Sequence, residues 1–241
     1  MEISTRHTPS FGIARIGLAP QESVRVEAGA MAYMAPTVAL QSKMEGGLLK
    51  SIKRAALGGE SFFLTTYTAD ARGGWVDVAP RLPGDLVPLD ITSSRPFVIS
   101  KGSWLASAQS VSLDTKWGGF RNMFGSEGGF VVHASGEGKC LVACYGALET
   151  WNLAPGETIT VDTGHMVAYE AAVTMNLRQV TGGLVQSFKS GEGIVFDFTG
   201  PGLVMTQTRN PNELAGWITS LVGTSNSGAS PLGLGGLFGR D

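Results

Sequence analysis

The sequence predicts an all-β protein: three repeated β-modules in a pseudo-threefold arrangement, followed by one C-terminal amphipathic helix. Three observations carry that reading. Apolar–polar alternation with β-forming residues recurs along the chain, glycines punctuate it at a near-constant interval, and helical periodicity is concentrated in 211–222. A length of 241 residues fits one large domain or two small ones. Hydrophobic residues at 43% can build a core, while charged residues are only 16%, against about 25% in an average domain. The 34 glycines are about twice the usual share, but with 11 prolines they stay below the low-complexity range. The chain is folded and rich in turns.

Each module opens on a strand, a glycine turn and a second strand. The first copy is Leu18-Ala-Pro-Gln-Glu-Ser-Val-Arg-Val-Glu-Ala-Gly29-Ala-Met-Ala-Tyr33, and the third is Leu153-Ala-Pro-Gly-Glu-Thr-Ile-Thr-Val-Asp-Thr-Gly164-His-Met-Val-Ala-Tyr169. The second is looser, Phe97-Val-Ile-Ser-Lys-Gly102-Ser-Trp-Leu-Ala-Ser107. Gly29, Gly102 and Gly164 are expected to supply a positive φ at a hairpin or corner. A further alternating strand follows at Thr37–Gln41, Ser110–Asp114 and Val173–Leu177. Glycine pairs then end at Gly47, Gly119 and Gly183, which lie 18, 17 and 19 residues past the turn glycines. A spacing held so closely marks repetition.

After each pair come a short apolar stretch and a corner bearing an acid, at Glu60, Glu127 and Glu192. Strongly β-forming runs follow: Phe62–Tyr67, Phe130–His133 with Cys140–Tyr145, and Ile194–Phe198 with Leu203–Gln207. The turns Ser135-Gly-Glu-Gly138 and Thr199-Gly-Pro-Gly202 suggest second hairpins. The modules are placed at about 18–90, 91–152 and 153–209. Few short strands cannot close a hydrophobic face alone. The three copies are therefore expected to bury one continuous core within a single domain, 1–222.

The helix has its own signals. Asn210 can cap, Pro211 suits the first helical position, and Glu213 stands three residues past the cap. Leu214, Trp217, Ile218, Leu221 and Val222 form one apolar stripe, and Gly223 ends it. The stripe is expected to lie on the β-body or dock on a neighbouring chain. Residues 223–241 read as a flexible Gly-rich tail whose apolar Pro231–Phe238 stretch offers a peripheral membrane contact.

The Gly-Glu-Ser-Phe-Phe and Ser-Gly-Glu-Gly-Ile corners, the Gly-Pro-Gly-Leu-Val turn and the threefold pattern resemble the altered-inheritance-of-mitochondria (mitochondrial biogenesis) family, over roughly residues 1–222. The resemblance implies a β-fold like that of the tryptophan RNA-binding attenuator protein, related to double-stranded β-helices. It implies no catalytic residues and no settled activity. Eukaryotic members are associated with mitochondrial inner-membrane organisation. RNA binding does not follow from the fold's name.

A net charge of −2 gives no basic excess for DNA or RNA. No run reaches the 18 apolar residues of a membrane span, and Met1–Pro9 lacks the apolar core of a secretory signal. Cys140 and Cys144 sit four apart on one strand, about 13 Å, too far for a disulfide, and read as small buried hydrophobes. These features suggest a cytoplasmic protein.

Chemistry-bearing constellations are sparse. Gly136-Glu-Gly-Lys139 has neither the leading glycine nor the following Ser or Thr of a phosphate loop, and Gly233-Leu-Gly235 meets Phe238 where a dinucleotide fingerprint needs its third glycine. His165 corresponds to Ala30 and Ser103 in the other copies, so no histidine cluster forms by symmetry. Glu60, Glu127 and Glu192 could converge on a cation, but the preferred reading is structural, each carboxylate accepting backbone N–H groups at a tight corner. Lys43, Lys50, Lys53 and Arg54 form a basic patch suited to RNA or anionic lipid, or simply a solvated face.

The expected function is a non-enzymatic β-scaffold acting through protein–protein contacts, as a homo-oligomer or with another protein. It has no cofactor and no metal. The alternatives are a small-ligand or metal-binding module with a site between repeats, lined by Trp75, Trp104, Trp117 or Trp151, and RNA binding by fold analogy.

Overall fold

The computed structural model describes residues 1–41, 64–116, 131–179 and 194–222. The chain divides into two compact units, Met1–Asn210 and Pro211–Asp241. The first is all β. After β1 (Glu2–Arg6), the strands fall into three groups of six. The first group is β2 (Ile13–Leu18), β3 (Ser23–Glu27), β4 (Met31–Met34), β5 (Val38–Gln41), β6 (Leu64–Ala69) and β7 (Gly74–Val78). The second is β8 (Leu86–Ile91), β9 (Phe97–Ser100), β10 (Trp104–Ala108), β11 (Val111–Lys116), β12 (Val131–Gly136) and β13 (Gly138–Ala143). The third is β14 (Leu148–Leu153), β15 (Thr158–Asp162), β16 (Met166–Glu170), β17 (Thr174–Gln179), β18 (Ile194–Thr199) and β19 (Gly202–Gln207).

One antiparallel pairing scheme occurs in all three groups. The sixth strand lies between the first and third, as in β2–β7–β4, β8–β13–β10 and β14–β19–β16. The fifth lies between the second and fourth, as in β3–β6–β5, β9–β12–β11 and β15–β18–β17. Even the irregularity recurs. The third strand is bulged against the sixth between Met31 and Tyr33, Trp104 and Ala106, and Met166 and Ala168. A bulge re-aims side chains and sharpens twist, which lets each group fold over on itself.

Neighbouring groups join by pairing β3 with β10 and β9 with β16. These seams create two six-stranded sheets, β5-β6-β3-β10-β13-β8 and β11-β12-β9-β16-β19-β14. At the ends remain a four-stranded sheet, β1-β2-β7-β4, and a three-stranded one, β15-β18-β17. A closed threefold body would also pair β4 with β15, and that pairing is absent.

Several expectations change. The pairs β3/β4, β9/β10 and β15/β16 lie in different sheets, so of the two forms expected at the glycine turns, hairpin or corner, the corner is the one found. Likewise β12 and β13 are parted by Glu137 alone, too little chain for a hairpin, and they enter different sheets, as do β18 and β19. Grouped by pairing, the modules run 13–78, 86–143 and 148–207. The expected limits put β8 and β14 one module too early, because a strand's partner lies some fifty residues downstream. Gly29 has the expected positive φ of 87°. Gly102 and Gly164 instead sit in the 3-10 turns Lys101–Ser103 and Thr163–His165, without positive φ. At Gly164 the requirement is space, since a Cβ would come within 2.3 Å of the Asn210 side chain.

The single continuous core is also corrected: buried side chains form three clusters, one per group. Alternation explains their composition. In β2, Ala14, Ile16 and Leu18 point inward while Ile13, Arg15 and Gly17 are half-buried. The clusters interlock across the seams. Leu86, Leu105, Ala106, Leu141 and Ala143 of the second group complete the first cluster, and Val167, Ala168 and Met205 of the third complete the second. A group cut out alone would expose these faces.

The repeated Leu-Ala-Pro-x-Glu turns are equivalent. The Glu22 and Glu157 carboxylates each accept the backbone N–H of the residue three before, Ala19 and Ala154, at 2.8 Å. The first group has a special feature on β7. Asp77, 1% exposed, accepts from Arg15 Nε at 2.7 Å and Nη2 at 3.0 Å, and from Arg6 Nη2 at 2.7 Å. Arg15 stacks 3.8 Å from the Trp75 ring centre. Burial alone would raise the Asp77 pKa. The hydrogen bonds and charges of Arg15 and Arg6 outweigh it, and the carboxyl lies below its ordinary value.

Helix α1 (Pro211–Val222) forms where expected, but none of its residues is buried, and Trp217, Ile218, Leu221 and Val222 are exposed.

Two outcomes are expected in urea denaturation. Ile99→Ala, at a fully buried seam position, costs about 2–5 kcal/mol, whereas Leu40→Ala, at an exposed one, changes stability by no more than about 0.5 kcal/mol. Asp77→Asn lowers stability at neutral pH by about 1.5–3 kcal/mol. A lowered folded pKa stabilises above the unfolded carboxylate pKa of about 3.9. That stabilisation is lost as pH falls toward the folded value, so parent and variant should converge in acid.

Candidate functional site

Many of the residues singled out from the sequence lie outside the described residues: Glu60, Glu127 and Glu192, Lys43, Lys50, Lys53 and Arg54, Trp117, and the tail 223–241. The acids belong to the connections from β5 to β6, β11 to β12 and β17 to β18. The other tryptophans do not share a pocket wall. Trp75 sits under Arg15 on β7, Trp104 is fully buried on β10, and Trp151 on β14 is exposed, its indole N–H donating to Thr206 Oγ1 at 3.1 Å. Among the described residues, no group of three or more His, Cys, Asp or Glu could hold a metal ion.

His165 acts as a structural tie. Its Nδ1–H donates to the Gln207 carbonyl at 2.6 Å, Gln207 Nε2 donates to the Gly164 carbonyl at 2.9 Å, and Gln207 Oε1 accepts from the Tyr145 N–H at 2.8 Å. The corner at Gly164 is thereby held to the end of β19.

One partly buried polar row was not legible in the sequence, because only strand register assembles it. Ser107 on β10 stands beside Arg25 of β3 on one side and Cys140 of β13 on the other. Arg25 Nη2 donates to the Ala108 carbonyl at 3.0 Å and to the Val111 carbonyl. Burial pulls the Arg25 pKa down. Burial likewise pushes the Cys140 thiol up to about 12, although the Arg25 charge and a hydrogen bond from Trp104 act the other way. Cys144 is pushed up by burial to about 11. Both thiols are free, buried and protonated at neutral pH, as the sequence suggested, and a protonated thiol is a poor nucleophile. The row stitches the first seam.

The features that face outward are strand edges and apolar side chains. Tyr33 and Met34 on β4, Leu40 on β5, Trp151 on β14 and Phe11 before β2 are all exposed. Among the described residues the outer edges of β4 and β15 have no strand beside them, leaving backbone donors and acceptors able to take another strand. No helix among the described residues is long and apolar enough to cross a membrane.

Known proteins share this architecture. An uncharacterized protein of Streptococcus pyogenes serotype M6 is 29% identical over 237 residues, covering 94% of this chain and 93% of its own length. A crystal structure of a Streptococcus pyogenes protein superposes with a TM-score of 0.77 at 27% identity, covering 91% of this chain and 99% of that one. The family model described as mitochondrial biogenesis AIM24 matches residues 3–209, nearly the whole β-body. The chain therefore belongs to the mitochondrial biogenesis AIM24 family.

Proposed function

We propose that this chain is a non-enzymatic β-scaffold that works through protein–protein contacts, assembles with copies of itself, and acts in the cytoplasm. The observation that carries the reading is the set of exposed large apolar side chains at strand edges, Tyr33, Met34, Leu40 and Trp151, joined by the bare stripe of α1. Burying such side chains is favourable by about 25 cal/mol per Å² of apolar area. A protein surface supplies the apolar cover that water does not. The buried and half-buried polar groups support the same reading: Asp77 is held by two arginines, and Arg25 and His165 donate to backbone carbonyls. They fix strands and corners, and the thiols beside them are held in their unreactive form.

Light scattering after size exclusion tests the proposal. Across the micromolar range the mass should exceed the 25.2 kDa of one chain and rise with concentration, and the melting temperature should rise with it. A mass fixed at one chain throughout would overturn the homo-oligomeric scaffold.

A further inference from the structure

We propose that copies of this chain join head to tail, the free edge of β4 in one copy pairing antiparallel with the free edge of β15 in the next. The inference rests on the scaffold reading and specifies its contact. The new sheet would have the order β17-β18-β15-β4-β7-β2, the same sequence of roles as the two complete sheets, with β1 as a seventh strand. The chain already makes this joint twice within itself. At each seam the second strand of one group pairs with the third strand of the following group, β3 with β10 and β9 with β16. Among the described residues β15 and β4 each lack the partner that this joint supplies at the seams, so one half of the joint is left on each of them.

Register can be carried across. The shared bulge aligns Tyr33 with Ala106 and Ala168, opposite Asp77, Leu141 and Met205 of the sixth strands. Ala106 faces Val26 and Ala168 faces Ile99 at the internal seams. By the same count Tyr33 faces Val161 of the next copy, and Met34 faces Thr160, as Ser107 faces Arg25 and Tyr169 faces Val98.

Burial singles out these two edges. Ala106 and Ala168 are 0% exposed, while Tyr33 is 61% exposed. Val26 and Ile99 are fully buried, whereas Val161 and its neighbour Ile159 are only partly so. The cause is visible in the clusters. The first is closed by Leu105 and Ala106 of the following group and the second by Val167 and Ala168, but the third has no such closure. Ala32 and Tyr33 stand at the equivalent positions of β4 and are exposed and apolar. One departure exists: Asp77 replaces Leu141 and Met205 on the joining face. Its charge is already met by Arg15 and Arg6, so it enters the joint as a paired group. A joint between unlike edges is heterologous and propagates, as a ring if its rotation closes and as a filament if it does not.

Cysteine cross-linking tests the register. Met34→Cys and Thr160→Cys are made separately at exposed or half-exposed positions, mixed and mildly oxidised; the native thiols are buried and do not compete. Directly opposed antiparallel residues have Cα atoms about 4.5–5.5 Å apart, within disulfide reach. The mixture should give at least tenfold more linked dimer than Met34→Cys mixed with Glu149→Cys, a control on β14. Equal linking in both mixtures, or none in either, overturns the edge pairing. If light scattering still shows an oligomer, the scaffold reading survives that failure; if it shows one chain, both fall. A double variant, Met34→Cys with Thr160→Cys, that links only within one chain also overturns the proposal, since the edges then meet internally. Tyr33→Glu is the independent check: it should weaken association at least tenfold with an unchanged melting temperature of the dilute protein, and unaltered association would count against the joint.

Discussion

The body depends on one backbone ladder that crosses group boundaries. β3 with β10 and β9 with β16 are short pairings, yet each brings the neighbour's third and sixth strands over an otherwise open core. Hydrogen bonding and apolar burial act together there. The ladder fixes which residues face inward, and Leu105, Ala106 and Leu141 then fill the space left by the preceding group. Shifting a seam by one residue would turn every one of these side chains to the opposite face. Specificity of register and closure of the core are one constraint.

The same constraint explains why repetition is compatible with unlike side chains. The bulge keeps the third strand's path constant, while the residues on it range from Trp104 to Met31 and from Ala106 to Tyr33. Interior positions accept different volumes if neighbouring ones compensate, and positions at an end face a different environment altogether. In repeat proteins terminal units depart from the pattern for this reason. Here β1 and the Arg6–Asp77–Arg15 cluster belong with the first group, and the other two groups have Leu141 and Met205 in place of Asp77.

Much of the fold was legible because short-range physics writes it. Alternation at Val24 and Val26 or Ile159 and Val161 marks strands, and the Leu214–Val222 stripe with Pro211 marks the helix. The free cysteines followed from strand rise alone. Pairing partners were not legible, since a strand such as β8 is matched to β13 by contacts far along the chain. Second hairpins were expected at 135–138 and 199–202, where the chain instead passes between sheets, because a glycine permits a turn without dictating which sheet the chain enters next. For the site, the partly buried row of Arg25, Ser107 and Cys140 has no local signature, and the exposure of Tyr33 shows only once it is known that no described strand lies beside β4 on its outer edge. The acidic corners and the basic patch fall outside the described residues, whereas carboxylate-capped turns of the kind expected there occur at Glu22 and Glu157.

The position of Cys140 has a consequence for how the body comes apart. Its strand, β13, lies between β10 and β8, so the fully buried sulfur sits in the second cluster one strand away from the first seam, and Cys144 is buried just beyond the end of β13. A thiol-labelling reagent therefore meets Cys140 only when the second cluster opens, and its rate of capture clocks that opening. The molecule carries a built-in reporter of local opening in its middle group.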